Sequence, residues 1–231
     1  MVQFNQTTKH MEKLDFEEAL MWRYATKRMN GDRIPDETLE KILRAIKLAP
    51  TSRGLQPFRV IVIDDHEVKS KIMAIADGQP QVLESSHLLV FAAWSSVNAD
   101  QINDFITYAA TERGIPEEKL AKMKSVLVKD QLPMNDEQFY QWSSKQAYIA
   151  LAFALSSAAV NQVDASAMEG FNNAALDELL NLKAIGLRST VLLAVGYRDV
   201  DNDWLLKLKK VRRKHSELFI PLREIALPDT I

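Results

Sequence analysis

Polar and apolar positions along this chain alternate between a helical period and a strand period. Leu39, Ile42, Leu43 and Ile46 recur at i, i+3, i+4 and i+7, while Glu37, Glu40, Lys41, Arg44 and Lys47 fall on the opposite side. This spacing predicts an amphipathic helix opened by Pro35 and Asp36 and stopped by Pro50. Residues 58–63, 88–94 and 189–195 are apolar or β-branched runs that read as buried strands, and 163–168 reads as a short strand ending at Glu169-Gly170-Phe171. Shorter helices are expected at 15–22, where Asp15 and Glu18 make a capping box, at 67–76 and at 174–180. Gly78-Gln79-Pro80-Gln81 reads as a break after the second of these. Residues 99–131 read as two helices divided at Gly114 and restarted at Pro116. They interrupt the alternation and are expected to form a lid or pocket wall carrying Phe105, Tyr108 and Met123.

The stretch 147–160 (AYIALAFALSSAAV) carries no charge, and its apolar side chains point all round a helical wheel. Such a helix is buried on every side or lies in a membrane. The run is too short and too rich in Ala and Ser for a span, which takes about 20 apolar residues. Upstream, Asn135 and Gln138 form a capping box, and Asp136 and Glu137 suit the positive end of the dipole. The expected helix, 135–160, is about 39 Å long. Its small residues admit other backbones closely. One face is expected against its own domain and the other against a second copy of the chain; the plainer alternative is the core helix of a monomer. Strands separated by helices, followed by one long buried helix, predict an α+β fold with a mixed sheet of four or five strands.

Composition narrows the function classes. The chain has 231 residues, 47% apolar and 26% charged, which is ordinary for a globular protein and is read as a single domain over 1–231. A net charge of −2 argues against a nucleic-acid binder. The absence of cysteine excludes disulfides, thiolate catalysis and cysteine-bound metal centres, and fits an intracellular protein. Residues 1–13 are polar, are expected to fray, and contain no signal-peptide core, so the cytoplasm is the default location. His10, His66, His87 and His215 show no ligand spacing, and no metal is expected. His87, just before a buried strand, reads as structural. None of the 7 glycines forms a phosphate-cradling loop, so a bound nucleotide would have to be held by cationic side chains. Beyond 214, Leu218, Phe219, Ile220, Leu222 and Ile225 are interrupted by Pro221 and Pro228. They predict an extended arm over 214–231 lying along a groove, such as one on a partner subunit.

Candidate chemistry sits in four stretches. Arg23 to Arg28 and Lys209 to Arg213 are cationic groups at opposite ends of the chain. Each is a solvated charge run unless the fold brings them together, in which case they make an anion site suited to a phosphate. Thr51-Ser52-Arg53-Gly54-Leu55-Gln56-Pro57 offers hydroxyls, N–H groups and a carboxamide on a constrained loop, or is plain turn chemistry. Glu169-Gly170-Phe171 places a carboxylate and a glycine at a strand end, where the backbone can approach a flat ligand, or simply starts a helix.

In their order and spacing, RYATK (23–27), LAPTSRGLQPFRVIVI (48–63), GQPQVLESSHLLVF (78–91), the central helix, AMEGF (167–171), STVLLAVGY (189–197) and KVRR (210–213) resemble the nitroreductase family of FMN-dependent oxidoreductases. The resemblance spans about 16–213. It implies an α+β homodimer with long helices at the interface and two FMN sites between the subunits. Arg23, Lys210 and Arg212 would grip the FMN phosphate. Lys27 would lie by the N1–C2=O edge of the flavin. Pro50, Thr51, Ser52 and Gly54 would come from the other subunit. Met168 belongs to the flavin-facing stretch, with Glu169 and Gly170 presenting N–H groups near N5 and O4. Ala25 replaces a common serine and removes one phosphate hydrogen bond. Gly78 replaces an asparagine, so Gln79 or Gln81 must meet the pyrimidine edge. Arg53 stands at the mouth and would bias the site toward anionic substrates or the NADPH phosphate.

The implied activity is reduction of nitroaromatics, quinones or similar flat acceptors by NADPH or NADH in a ping-pong cycle. Lys27 stabilises charge that gathers near N1, and Lys27 and Glu169 are the catalytic candidates. A flavin-binding redox module without turnover, and a basic-armed interaction protein without a cofactor, are the competing classes.

Overall fold

The computed structural model describes residues 14–225, so the expectations for 1–13 and 226–231 lie outside the described residues. Four strands form one sheet in the order β1-β2-β4-β3, with β1 at Phe58–Ile63, β2 at His87–Trp94, β3 at Asp164–Met168 and β4 at Leu187–Gly196. All three pairings are antiparallel. The expected mixture of directions survives only at one edge, where Ala25 makes a parallel bridge to Ala165.

Period-2 alternation sorts the sheet's two faces. Leu89, Phe91, Leu193 and Val195 join one buried cluster, and Leu88, Val90, Leu192 and Ala194 join another. The first face is covered by α2 (Asp36–Lys47), through Leu39, Ile42 and Ile46, and by the long helix Asp136–Val160. The second is covered by α3 (His66–Ile75), by α4 (Pro80–Glu84) and by the helix Asn173–Leu179. The stretch expected to be a plain break therefore contains a short helix, because Pro80 takes the first helical turn, where its missing N–H costs nothing.

The 99–131 segment follows its reading. α5 (Ala99–Arg113) ends on Gly114 in the left-handed region (φ 62°), and α6 (Ala121–Gln131) resumes after a 3-10 turn. The two build their own core around Ile102, Ile106, Leu120 and Leu127.

The long helix, α7 (Asp136–Val160), carries both capping-box bonds. Gln138 N–H donates to Asn135 Oδ1 at 2.9 Å, and Asn135 N–H donates to Gln138 Oε1 at 3.1 Å. Ala147, Ala150, Ala154 and Ala158 are fully buried against α2 and the sheet. The expectation of burial on every side needs correction for the single chain. Tyr148 is 37% exposed and Phe153 40%, and Ala152 between them is exposed as well. The chain thus leaves an apolar stripe uncovered along its longest helix.

After β3 come α8 (Asn173–Leu179), β4 and a last helical turn, α9 (His215–Leu218), preceding a 3-10 turn at Leu222–Glu224. The arm is therefore not uniformly extended, since a proline at 221 leaves room for single turns on either side. Leu218, Phe219, Ile220, Leu222 and Ile225 are all exposed.

Candidate functional site

The two cationic groups meet. α1 (Phe16–Trp22) has Arg23 as its extended C-cap residue, and the chain then runs along the outer edge of β3 through the Ala25–Ala165 bridge. From the other end, the segment after β4 returns beside it. Arg23, Lys210 and Arg212 line one cavity of about 530 Å³, together with Lys209, Arg198, Ala25 and the aromatic rings of Trp22 and Tyr24. No carboxylate is among its lining residues.

Electrostatics shows that the cations are close enough to act on one another. Burial lowers the pKa of Arg23, and the nearby Arg212 lowers it further. Burial also lowers Lys210, and Arg23 and Arg212 add to that. Like charges held this close repel one another, and a bound anion relieves the repulsion. Lys210 is pinned by donating from Nζ to the carbonyls of Leu20 (2.5 Å) and Met21 (3.1 Å), at the negative end of α1. Arg212 donates only inward along its own chain, from Nη1 to the Val211 carbonyl (2.7 Å), among its recorded bonds. This donor set fits a phosphate monoester, being three cations at a dry-walled cavity with guanidinium geometry available.

Two buried carboxylates hold the segments in place. Asp203 accepts from Tyr24 Oη, from Lys27 N–H and from Leu205 N–H, each at 2.9 Å. Asp164 accepts from Thr26 Oγ1 at 3.2 Å, and from the Arg198 backbone N–H and guanidinium at 2.7–3.0 Å. The Arg198 guanidinium lies over Trp22 at 4.2 Å and over Tyr24 at 4.8 Å. Of the cations in 23–28, Arg28 points elsewhere, into an ion pair with Glu84 at 2.7 Å.

A second convergence lies at the end of β3. Gln79 Nε2 donates to the Gly170 carbonyl at 2.9 Å, and Gln81 Nε2 donates to Gln79 Oε1 at 3.1 Å and meets Met168 Sδ at 3.3 Å. Gln79, Gln81, Met168 and Gly170 therefore share one corner. A Cβ on Gly170 would meet Gln79 Nε2 at 3.6 Å and Asp77 Oδ2 at 3.7 Å, ordinary contact distances that leave room for a small side chain. Glu169 turns the other way. Its Oε1 accepts from Tyr148 Oη at 2.5 Å, and both residues line a cavity of about 590 Å³ with Tyr140, Arg188 and Thr190. Burial and the Glu169 contact push the Tyr148 phenol far above its ordinary range.

Pro50, Thr51, Ser52 and Gly54 line neither of these cavities. Their loop folds as a 3-10 turn on α7, where Ser52 N–H donates to Gln146 Oε1 at 2.8 Å. Thr51 Oγ1 is buried with no hydrogen-bond partner. Arg53, expected at the mouth of the site, is exposed and forms an ion pair with Asp130 of α6. His87 is buried, with Nδ1 2.8 Å from Ser86 Oγ, as a structural histidine should be.

Sequence reading missed Asp164, Arg198, Asp203 and Tyr148. The first three were within reach, since Asp164 and Arg198 flank apolar strand runs and Asp203 opens the segment leading to the basic cluster. No metal-binding group of His, Cys, Asp or Glu and no helix long and apolar enough to cross a membrane occurs among the described residues.

An α+β chain with a three-cation anion clamp at the sheet edge is the class that fold and site define. The nitroreductase family model matches residues 20–197, and the chain belongs to the nitroreductase family. The C-terminal cations lie beyond the matched span. The chain is 30% identical over 196 residues to a Staphylococcus saprophyticus protein provisionally named an NAD(P)H nitroreductase, covering 80% of this chain and 88% of that one. Its fold is similar to a provisionally named nitroreductase from Exiguobacterium sibiricum solved in complex with FMN (TM-score 0.77, 19% identity, 91% and 98% of the two chains). It is similar also to an enone reductase of gut-bacterial fatty acid saturation (TM-score 0.73, 16% identity, 90% and 97%).

Proposed function

We propose that this chain is an FMN-dependent oxidoreductase that uses NADPH or NADH to reduce flat, electron-poor acceptors such as nitroaromatics and quinones. The observation that carries the reading is the convergence of Arg23, Lys210 and Arg212 on one cavity free of carboxylates. FMN bound here supplies two-electron transfer between a nicotinamide donor and the acceptor. Arg23, Lys210 and Arg212 bind its phosphate. Lys27, whose backbone is fixed by Asp203, would hold a positive charge beside the bound ring, where a fixed cation stabilises developing negative charge. Gln79, with Gln81 behind it, offers a carboxamide to the pyrimidine edge. Met168, Glu169 and Gly170 form the wall at the end of β3. Ala25 contributes backbone rather than a hydroxyl. One site serving donor and acceptor in turn gives ping-pong kinetics.

The active form in this reading is a cytoplasmic homodimer. The homodimer is supported by the uncovered stripe of α7, by the exposed apolar arm, and by Pro50, Thr51, Ser52 and Gly54 lining neither the Arg23 cavity nor the Glu169 cavity of their own chain. Pro50, Thr51, Ser52 and Gly54 then complete the partner's site and shield it from water. An absorbance spectrum of the purified protein, with FMN added and then NADPH under anaerobic conditions, tests the proposal. The expected result is a bound-flavin spectrum that bleaches. Protein that acquires no flavin absorbance overturns the FMN reading; bound flavin that does not bleach with NADPH or NADH leaves a binding module without turnover.

A further inference from the structure

The clamp poses an assembly problem. Its halves are far apart in sequence, and their charges repel. Something must hold residues 23–27 and 205–212 together before any anion arrives. Asp203 does this by contact. It is 3% exposed, and its carboxylate takes three hydrogen bonds that belong to both halves. Oδ2 receives the Tyr24 hydroxyl and the Lys27 N–H, and Oδ1 receives the Leu205 N–H. Its own carbonyl then accepts from Leu206 N–H at 3.2 Å, turning the chain toward the basic cluster. Asp203 is not among the residues lining the cavity, so it contacts the structure of the clamp and not its contents.

We propose that Asp203 is the positioning residue of the phosphate clamp, setting its affinity for a phosphate monoester by fixing its N-terminal and C-terminal halves in register. This rests on the FMN reading given above. The physical argument is preorganisation. A buried, fully hydrogen-bonded carboxylate is expensive to leave half-satisfied, so it defines one geometry for its donors. Three preplaced cations bind a phosphate without first giving up the freedom of a long loop.

Asp203→Ala and Tyr24→Phe test this. The second removes one bond to the carboxylate and keeps the ring beneath Arg198. FMN and riboflavin, which lacks the phosphate, are titrated into wild type, both variants, Arg23→Ala and the Arg23→Ala/Asp203→Ala double variant. Fluorescence quenching gives the dissociation constants, and circular dichroism reports the fold. For Asp203→Ala we expect FMN affinity to fall at least tenfold and the FMN-to-riboflavin affinity ratio to fall with it. Tyr24→Phe should shift the same ratio by a few fold. The double variant should lose much less than the product of the two single losses, because a clamp lacking Arg23 has less to be positioned.

General loosening of the fold would lower both affinities together, leave the ratio unchanged and overturn the proposal. So would wild-type FMN affinity in Asp203→Ala, or multiplicative losses in the double variant. If Asp203→Ala does not fold, the ratio in Tyr24→Phe decides alone, an unchanged ratio being the negative result. Wild-type protein that binds neither flavin overturns the underlying FMN reading instead, and is thereby distinguishable.

Discussion

At the scale of single residues, buried polar groups carry more consequence than their number suggests. His87 is 2% exposed, and burial lowers its pKa below the ordinary 6.5, with Arg33 adding to the effect and Asp64 opposing it. Its folded-state pKa therefore lies below its unfolded one. As pH falls through 6.5, the unfolded chain takes the proton first, and stability present above that pH is lost down through the folded pKa. Chemical denaturation at stepped pH should show unfolding free energy falling as the solution is acidified below about 6.5. His87→Gln should flatten that slope; a slope unchanged by the substitution would assign it to other groups. The role of His87 was legible from its place before a buried run. The demand on Gly196 was not, because a Cβ there would meet Met29 Sδ at 2.9 Å and Ser86 N at 3.1 Å, a clash among segments distant in sequence. The Arg53–Asp130 ion pair was hidden for the same reason. Asp130 is brought up by α6, and nothing local announces that pairing.

At the scale of elements, the helices follow from local chemistry, and the departures come from tertiary contacts. The caps of α1, α5 and α7 all close both bonds of a capping box, and two of the three were readable directly from spacing. Asn135→Ala removes the acceptor for Gln138 N–H and should cost about 1 kcal/mol of stability. Asn135→Ser should restore most of it. Denaturant melts of the two variants measure this, and an Asn135→Ala variant as stable as wild type would show that packing alone fixes where α7 begins. β2 and β4 were legible as apolar runs buried on both faces, and β1 as a β-branched run, although Arg59 and Val62 are exposed. The antiparallel order of the sheet was not, since strand direction depends on how the connecting helices cross, and periodicity carries no information about that. The same limit hid the clamp's architecture. The cations could be named from sequence, and Asp164 and Asp203 had a local signal, but which segments those carboxylates join becomes visible only once β3 and β4 lie side by side.

For the whole molecule, the unresolved demand is the apolar surface that one chain leaves uncovered. Tyr148 and Phe153 lie five residues apart on α7, and Leu218, Phe219, Ile220 and Leu222 are 56–66% exposed on the arm. Large apolar side chains left exposed together on one element are a mark of interaction sites. A symmetric pair covers it economically, because one patch then meets its own copy across a two-fold axis. Phe153→Glu is the sharpest probe. The position is already exposed in the single chain, so a glutamate costs the monomer little, while in a pair it buries charge at the shared face. Sedimentation or light scattering should show a dimer for wild type and a monomer for the variant, with an unchanged helical spectrum. If, as proposed, Pro50, Thr51, Ser52 and Gly54 complete the partner's site, FMN affinity should fall in step even though Arg23, Lys210 and Arg212 remain intact. A variant that stays dimeric would move the interface off α7. A variant that becomes monomeric yet binds FMN as wild type does would mean that a single chain completes its own site.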